Sequence, residues 1–142
     1  MKIRAIQPSE IEAARRLLSE NGWGHRVSDP ALFTRLIANS QRAMVALEGA
    51  ELIGFARAIC DDLSNGYLSM VVVHPDHRRR GVGRALVQAV VGDDPRITWV
   101  LRAGRPAELP FFEKLGFVPS AVAMERTRAS GAVTKNSDGA DA

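Results

Sequence analysis

The order of elements in this chain predicts an α+β domain: a mixed, mostly antiparallel central sheet flanked by helices. Three observations carry that expectation. Helical spacing of apolar residues dominates as far as Ile37, and strand spacing takes over from Ala43. The segment Arg78-Arg79-Arg80-Gly81-Val82-Gly83-Arg84 then follows a late, wholly apolar strand rather than the first strand. A doubly wound nucleotide fold would alternate strand and helix from the start and place its glycine loop after strand one.

Lys2 to Ile6 reads as a first strand. Ser9 with Glu12 matches a capping box ahead of Ile11, Ala14, Leu17 and Leu18, which predicts a helix to about Glu20. Asn21 to Ser28 is a loop holding Trp23 and His25. Asp29 as N-cap and Pro30 at the first helical position open a second helix with Leu32, Phe33, Leu36 and Ile37 as its buried stripe. Ala43 to Leu47, a turn at Glu48-Gly49-Ala50-Glu51, and Leu52 to Cys60 make an antiparallel hairpin.

Turn formers fill Asp61 to Gly66, and Tyr67 to Val73 carries the β-branched run of a central strand buried on both faces. Pro75 stops it near His74. Val82, Leu86 and Val90 give the next helix its apolar face, ended by Gly92-Asp93-Asp94-Pro95. A strand over Ile97 to Leu101, a helix over Pro106 to Leu115 and a last extended segment over Phe117 to Glu125 complete a domain of residues 1–126. Residues 127–142, rich in Ser, Gly, Asp and Ala, read as a disordered tail.

With 142 residues and 46% hydrophobic composition the chain suits one compact core. Cys60 is the lone cysteine, which excludes an intramolecular disulfide and a cysteine metal cluster and points to a reducing, cytoplasmic setting without a metal. Met1 to Gln7 lacks the apolar stretch of a signal peptide, and no run is long enough to span a bilayer, so no membrane partner is expected. The net charge of +3 is focused, with Arg78, Arg79, Arg80 and Arg84 together at the glycines. A focused patch suits a small polyanion, whereas duplex DNA calls for basic residues spread along a groove-entering helix; no nucleic-acid partner is expected.

Glycines let successive N–H groups turn toward one ligand, and the following helix adds the positive end of its dipole, so Arg78 to Arg84 form a phosphate or pyrophosphate cradle. The Lys-Ser/Thr pair of a P-loop is missing, which argues against ATP or GTP hydrolysis. Arg78-x-x-Gly81-x-Gly83, preceded by Val73-His74-Pro75 and followed by Arg84-Ala85-Leu86-Val87, resembles the acyl-coenzyme A signature of the GNAT N-acetyltransferase superfamily. Downstream, Phe111-Phe112-Glu113-Lys114-Leu115-Gly116-Phe117 resembles that family's late aromatic and Leu-Gly-Phe motif.

The resemblance implies acetyl-CoA as cosubstrate, lying in a V-shaped opening between the strand ending at Val73 and the strand Ile97 to Leu101. Pantetheine amides would pair with backbone of Val71 and Val73, and a strand N–H such as that of Val71 or Val72 would polarise the thioester oxygen. The N–H groups of Arg79, Arg80, Gly81, Val82, Gly83 and Arg84 would hold pyrophosphate, with Arg78 ordering the loop. The expected reaction moves the acetyl group to a primary amine, of a small molecule or a peptide, by direct attack.

Three residues, at two functional positions, depart from the family pattern. Ser69 and Met70 stand where a strand carboxylate often serves as base, leaving Asp61 and Asp62 as replacements, although aspartates beside Ser64, Asn65 and Gly66 are commonly turn formers. Phe112 stands where a tyrosine often protonates the leaving sulfur; it would instead pack on the pantetheine arm or in the core. These departures motivate an alternative, a non-catalytic acyl-CoA-binding sensor. The oligomeric state stays open, with a homodimer among the expectations.

Overall fold

The computed structural model describes residues 1–129. Five strands form one sheet in the order β1-β2-β3-β4-β5: β1 (Lys2–Ala5), β2 (Arg42–Glu48), β3 (Glu51–Cys60), β4 (Asn65–Val73) and β5 (Thr98–Leu101). Successive pairs are antiparallel except β4 with β5, which is parallel. That one parallel step needs a crossover, and α3 (Val82–Val91) supplies it. On the opposite face lie α1 (Ile11–Leu18) and α2 (Pro30–Ala38), and α4 (Leu109–Glu113) follows β5. The α+β architecture matches the one expected.

The sheet separates two cores. Leu17, Leu18, Phe33 and Ile37 pack with Phe55, Met70 and Val72 on the α1–α2 face. Leu86, Val87 and Val90 of α3 pack with Ile53, Ala56 and Leu68 on the other. Gly54 permits that second contact, because a Cβ there would lie 2.7 Å from Leu86 Cδ1 and 3.2 Å from Val82 Cγ1.

Several local expectations shift. The capping box is built by Gln7 and Glu10, two residues before the expected pair, and Glu12 instead binds Arg15 and Arg16. Asn21 and Gly22 leave helical geometry, so α1 ends at Leu18 and a wide turn over Ser19–Trp23 follows; Asn21 Nδ2 satisfies the Leu17 carbonyl at 2.8 Å. Asp29 caps α2 as expected, accepting from the N–H groups of Ala31 and Leu32, but Leu32 is exposed and only Phe33 and Ile37 of the stripe are fully buried.

The helix expected over Pro106 to Leu115 divides into a 3-10 turn, Pro106–Glu108, and the short α4. No strand forms after Phe117 among the described residues. Val118, Val122 and Met124 there are almost fully exposed, so the apolar alternation finds no surface to cover. The tail expected over 127–142 lies outside the described residues from Ser130 onward. Among the described residues no helix is long and apolar enough to cross a membrane.

Candidate active site

β4 and β5 pair from Asn65–Thr98 to Leu68–Leu101 and then part. The cause lies on the other side of β4. Its register with β3 runs from Arg57–Ser69 to Phe55–Val72, so β4 carries one extra residue, and Met70 takes a left-handed φ of 58° to accommodate it. Beyond this bulge the chain bends away from β5. The His74 N–H donates to the Ile53 carbonyl at 2.7 Å, and antiparallel alternation therefore aims the peptide groups of Val71 and Val73 away from β3, into the gap.

The gap is part of a cleft of about 860 Å³ that runs from Trp23 and Ser69 to the start of α3. At that end Arg79 and Gly81 both adopt positive φ, 63° and 81°, so the loop folds back over the helix N-terminus. Gly81 is the N-cap and has no side chain to satisfy the first N–H groups of α3, which leaves them directed at the cleft. Gly83 sits where a Cβ would come within 3.1 Å of Phe111 Cζ, and its smallness keeps backbone and aromatic wall together.

Arg78 braces this loop rather than projecting freely. Its Nε donates to the Val73 carbonyl at 3.1 Å and its Nη2 to Asn21 Oδ1 at 3.0 Å. His74 Nδ1 accepts the Asp76 N–H, a second tie within the turn. On the β5 side Phe112 is buried edge-on between Phe111 and Phe117, with ring centroids 4.9 and 6.0 Å away, and Arg102, Arg105 and Glu108 complete the wall. Burial holds the Glu108 carboxyl above its usual range, against the opposing pull of Arg105 at 3.9 Å.

The cleft gathers Val71, Val72, Val73, Arg78, Arg79, Gly81, Val82, Gly83, Arg84 and Phe112, all expected there; Arg80, also expected, is not among its lining residues. By alternation Val72 turns its peptide groups to Phe55, leaving Val71 as the outward-facing N–H near the bulge. Asp61 and Asp62 are corrected. They occupy the β3–β4 turn at the closed end of the β4–β5 pair and line no part of the cleft. Asp61 accepts from the N–H groups of Leu63, Ser64 and Asn65 and from the Ser64 hydroxyl, which keeps it far below the ordinary carboxylate range. Asp62 pairs with Arg42 Nη2 at 2.8 Å.

Glu108 was not legible as a cleft residue, because nothing in Pro106-Ala107-Glu108 marks which way a short turn faces. Among the described lining residues it is the only carboxylate. Trp23 Nε1 is a buried donor with no partner among the described residues, at the same end as Ser69. The bare α3 N-terminus, the outward strand amides and the unpartnered indole N–H fit an elongated ligand with phosphates at one end and amides in the middle.

Residues 39–119 match the family model described as the acetyltransferase (GNAT) domain. The chain belongs to the GNAT acetyltransferase family. It is 32% identical to the uncharacterized N-acetyltransferase YafP of Escherichia coli, over 93% of this chain and 89% of that one. It is 31% identical to the E. coli peptidyl-lysine N-acetyltransferase YiaC, over 81% of this chain and 82% of the relative. A Xanthomonas campestris protein assigned to the GNAT family superposes with a TM-score of 0.73 at 26% identity, covering 90% of this chain and 94% of that one. The chain spans 62% and 40% of the length of two red-algal ycf52 relatives it also matches, those of Pyropia yezoensis and Porphyra purpurea.

Proposed function

We propose that this protein is an acyl-CoA-dependent N-acetyltransferase that moves the acetyl group of acetyl-CoA to a primary amine. The observation that carries the reading is the meeting of two features at one cleft: β4 peptide groups freed by the Met70 bulge, and the uncapped N-terminus of α3 behind Gly81. The α3 N–H groups and the basic loop would hold the pyrophosphate. The outward peptide groups of Val71 and Val73 would take the pantetheine amides as an added strand does, with Val73 sharing its carbonyl with Arg78.

Acetyl-CoA supplies an acetyl group activated as a thioester. The amine nitrogen attacks the carbonyl carbon, the carbon–sulfur bond breaks, and the proton that the nitrogen then sheds passes through solvent to the leaving thiolate, giving the amide and the free thiol. The Val71 N–H lies beside the bulge where the thioester oxygen would sit. Glu108 is the group we assign to take the ammonium proton, directly or through one water, since it is the only carboxylate among the described residues that line the cleft. Phe112 packs and donates nothing. YiaC, named for acetylating peptidyl-lysine, supports a primary amine as acceptor. The same reading takes residues 1–126 as the catalytic domain and the cytoplasm as its location.

Phe112 at the usual proton-donor position favours one second reading, an acyl-CoA sensor without turnover. Calorimetric titration with acetyl-CoA and a thiol-release screen across amines separate the two. Enzyme activity requires thiol release that depends on both acetyl-CoA and an added amine; tight binding with no amine-dependent release supports the sensor.

A further inference from the structure

Arg57 lies in the middle of β3 with 6% of its surface exposed. Its Nε reaches Met70 Sδ at 3.5 Å and its Nη1 reaches Ser40 Oγ at 3.3 Å. The thioether is a weak acceptor and the hydroxyl an uncharged one, and together they engage two of the five N–H donors of a guanidinium. No carboxylate among the described residues lies within ion-pair distance of it. A cation this deeply buried is ordinarily matched by an anion.

The surroundings add positive charge. Phe55 packs toward α1 and α2, so strand alternation puts Arg57 and Ile59 on that face, with Ser69 and Tyr67 opposite them on β4 and Val100 beside Tyr67 on β5. The charges of Arg26, Arg57 and Arg102 all act on Tyr67. A second cavity, of about 410 Å³, opens beside Tyr67 and Arg102 and is rimmed by Glu125, Arg126 and Arg128. Glu125 already sits on Arg102 at 2.6 Å, a carboxylate held by this cluster. Arg102 and Ser69 also border the main cleft, so the two spaces adjoin.

We infer that the acceptor amine carries a carboxylate, drawn to the cavity beside Tyr67 by the charges of Arg57, Arg26 and Arg102, while its nitrogen faces the Ser69–Met70 bulge. This rests on the acetyltransferase reading of the cleft and names its substrate class: small amino acids in place of simple alkylamines or polyamines. Arg57 touches the bulge residue itself through Met70 Sδ, so an anion on Arg57 and a nitrogen at the bulge are separated by about the reach of one amino acid. A polyamine would bring like charge to this cluster and be repelled.

The test uses the full chain in the presence of CoA and measures, by calorimetry, binding of alanine, leucine and phenylalanine against their α-carboxamides. At least tenfold tighter binding of the free acids is expected, and Arg57→Gln should remove the difference while leaving CoA affinity unchanged. Arg26→Gln, on the α1–α2 connection, should remove part of it and serves if the Arg57 variant fails to fold. Equal or tighter binding of the amides, or a preference that survives in the folded variant, overturns the proposal. Amine-dependent thiol release, measured separately, tests the acetyltransferase reading, so a carboxylate preference without turnover sinks that reading and keeps the subsite.

Discussion

Arg78 Nη2 and Asn21 Oδ1 meet at 3.0 Å although 57 residues separate them along the chain. The contact joins the turn after α1 to the loop that begins α3, and both line the cleft. Asn21→Ala therefore removes the outer brace of Arg78. Because the pair is solvent-exposed, stability should fall by less than about 1 kcal/mol. The KM for acetyl-CoA should rise roughly tenfold, the ~1.4 kcal/mol of one lost ordering contact, with kcat nearly unchanged. Steady-state kinetics and thermal melts read the two effects separately.

The aspartates of the β3–β4 turn should matter to stability and not to chemistry. Asp61→Ala should lower the melting temperature, because three N–H groups lose their acceptor, while the pH dependence of kcat/KM keeps its shape. Asp62→Asn should leave that profile unchanged as well. A lost or displaced limb in either variant would return that residue to the mechanism.

Acid stability follows from the same hydrogen bonds. Asp61 is held down by the Ser64 and Asn65 N–H groups, Glu12 is held at about 2 by Arg15, and Asp94 at about 2 by Arg96. A carboxylate whose folded pKa lies below its unfolded value stabilises the fold fully above the unfolded value, and that stabilisation disappears as pH falls through the folded one. Melting temperature should be flat from neutrality to about pH 5 and fall steadily below it. Asp61→Ala should shallow the decline.

Glu108 is the carboxylate whose titration should appear in the rate. Its raised pKa means that it is protonated, and unable to accept a proton, at higher pH than an ordinary glutamate. Glu108→Gln should lower kcat about 100-fold and abolish the acidic limb of the pH profile. Acetyl-CoA affinity, measured by calorimetry, should stay within about threefold if the residue moves a proton rather than holding the cosubstrate.

Gly54 tests the seating of α3. Gly54→Ala drives a methyl into Leu86, which is wholly buried and has no free direction to move. The cost should be about 1–3 kcal/mol by overpacking, read in chemical denaturation. Because α3 carries the N–H groups proposed to hold the pyrophosphate, acetyl-CoA affinity should weaken in the same variant.

Elements defined by strong local signals were readable from sequence. Asp29-Pro30 opened a helix, Met70 to Val73 marked a central strand, and the two glycines marked the turn that opens α3. What stayed hidden depends on contacts between distant residues. The Met70 bulge follows from a register offset against β3 that no local pattern encodes. Phe117 to Glu125 has strand-like alternation but forms no strand among the described residues, and Glu108 lines the cleft from a short turn whose facing no local pattern encodes. For Asp61, of the two readings its sequence allows, the turn former marked by Ser64 and Asn65 is the one its hydrogen bonds fit.

At the closed end of the β4–β5 pair, Arg42 binds the Val90 and Val91 carbonyls at the end of α3, pairs with Asp62 and lies 5.3 Å over the Trp99 ring, which itself packs flat on Gly66. One side chain thus fastens β2, the β3–β4 turn, α3 and β5 together. The two strands behave as the arms of a clothes-peg whose pivot is the Leu68–Leu101 pair and whose spring is Arg42. Loosening that fastener should change the aperture at the far end without touching any residue that lines it.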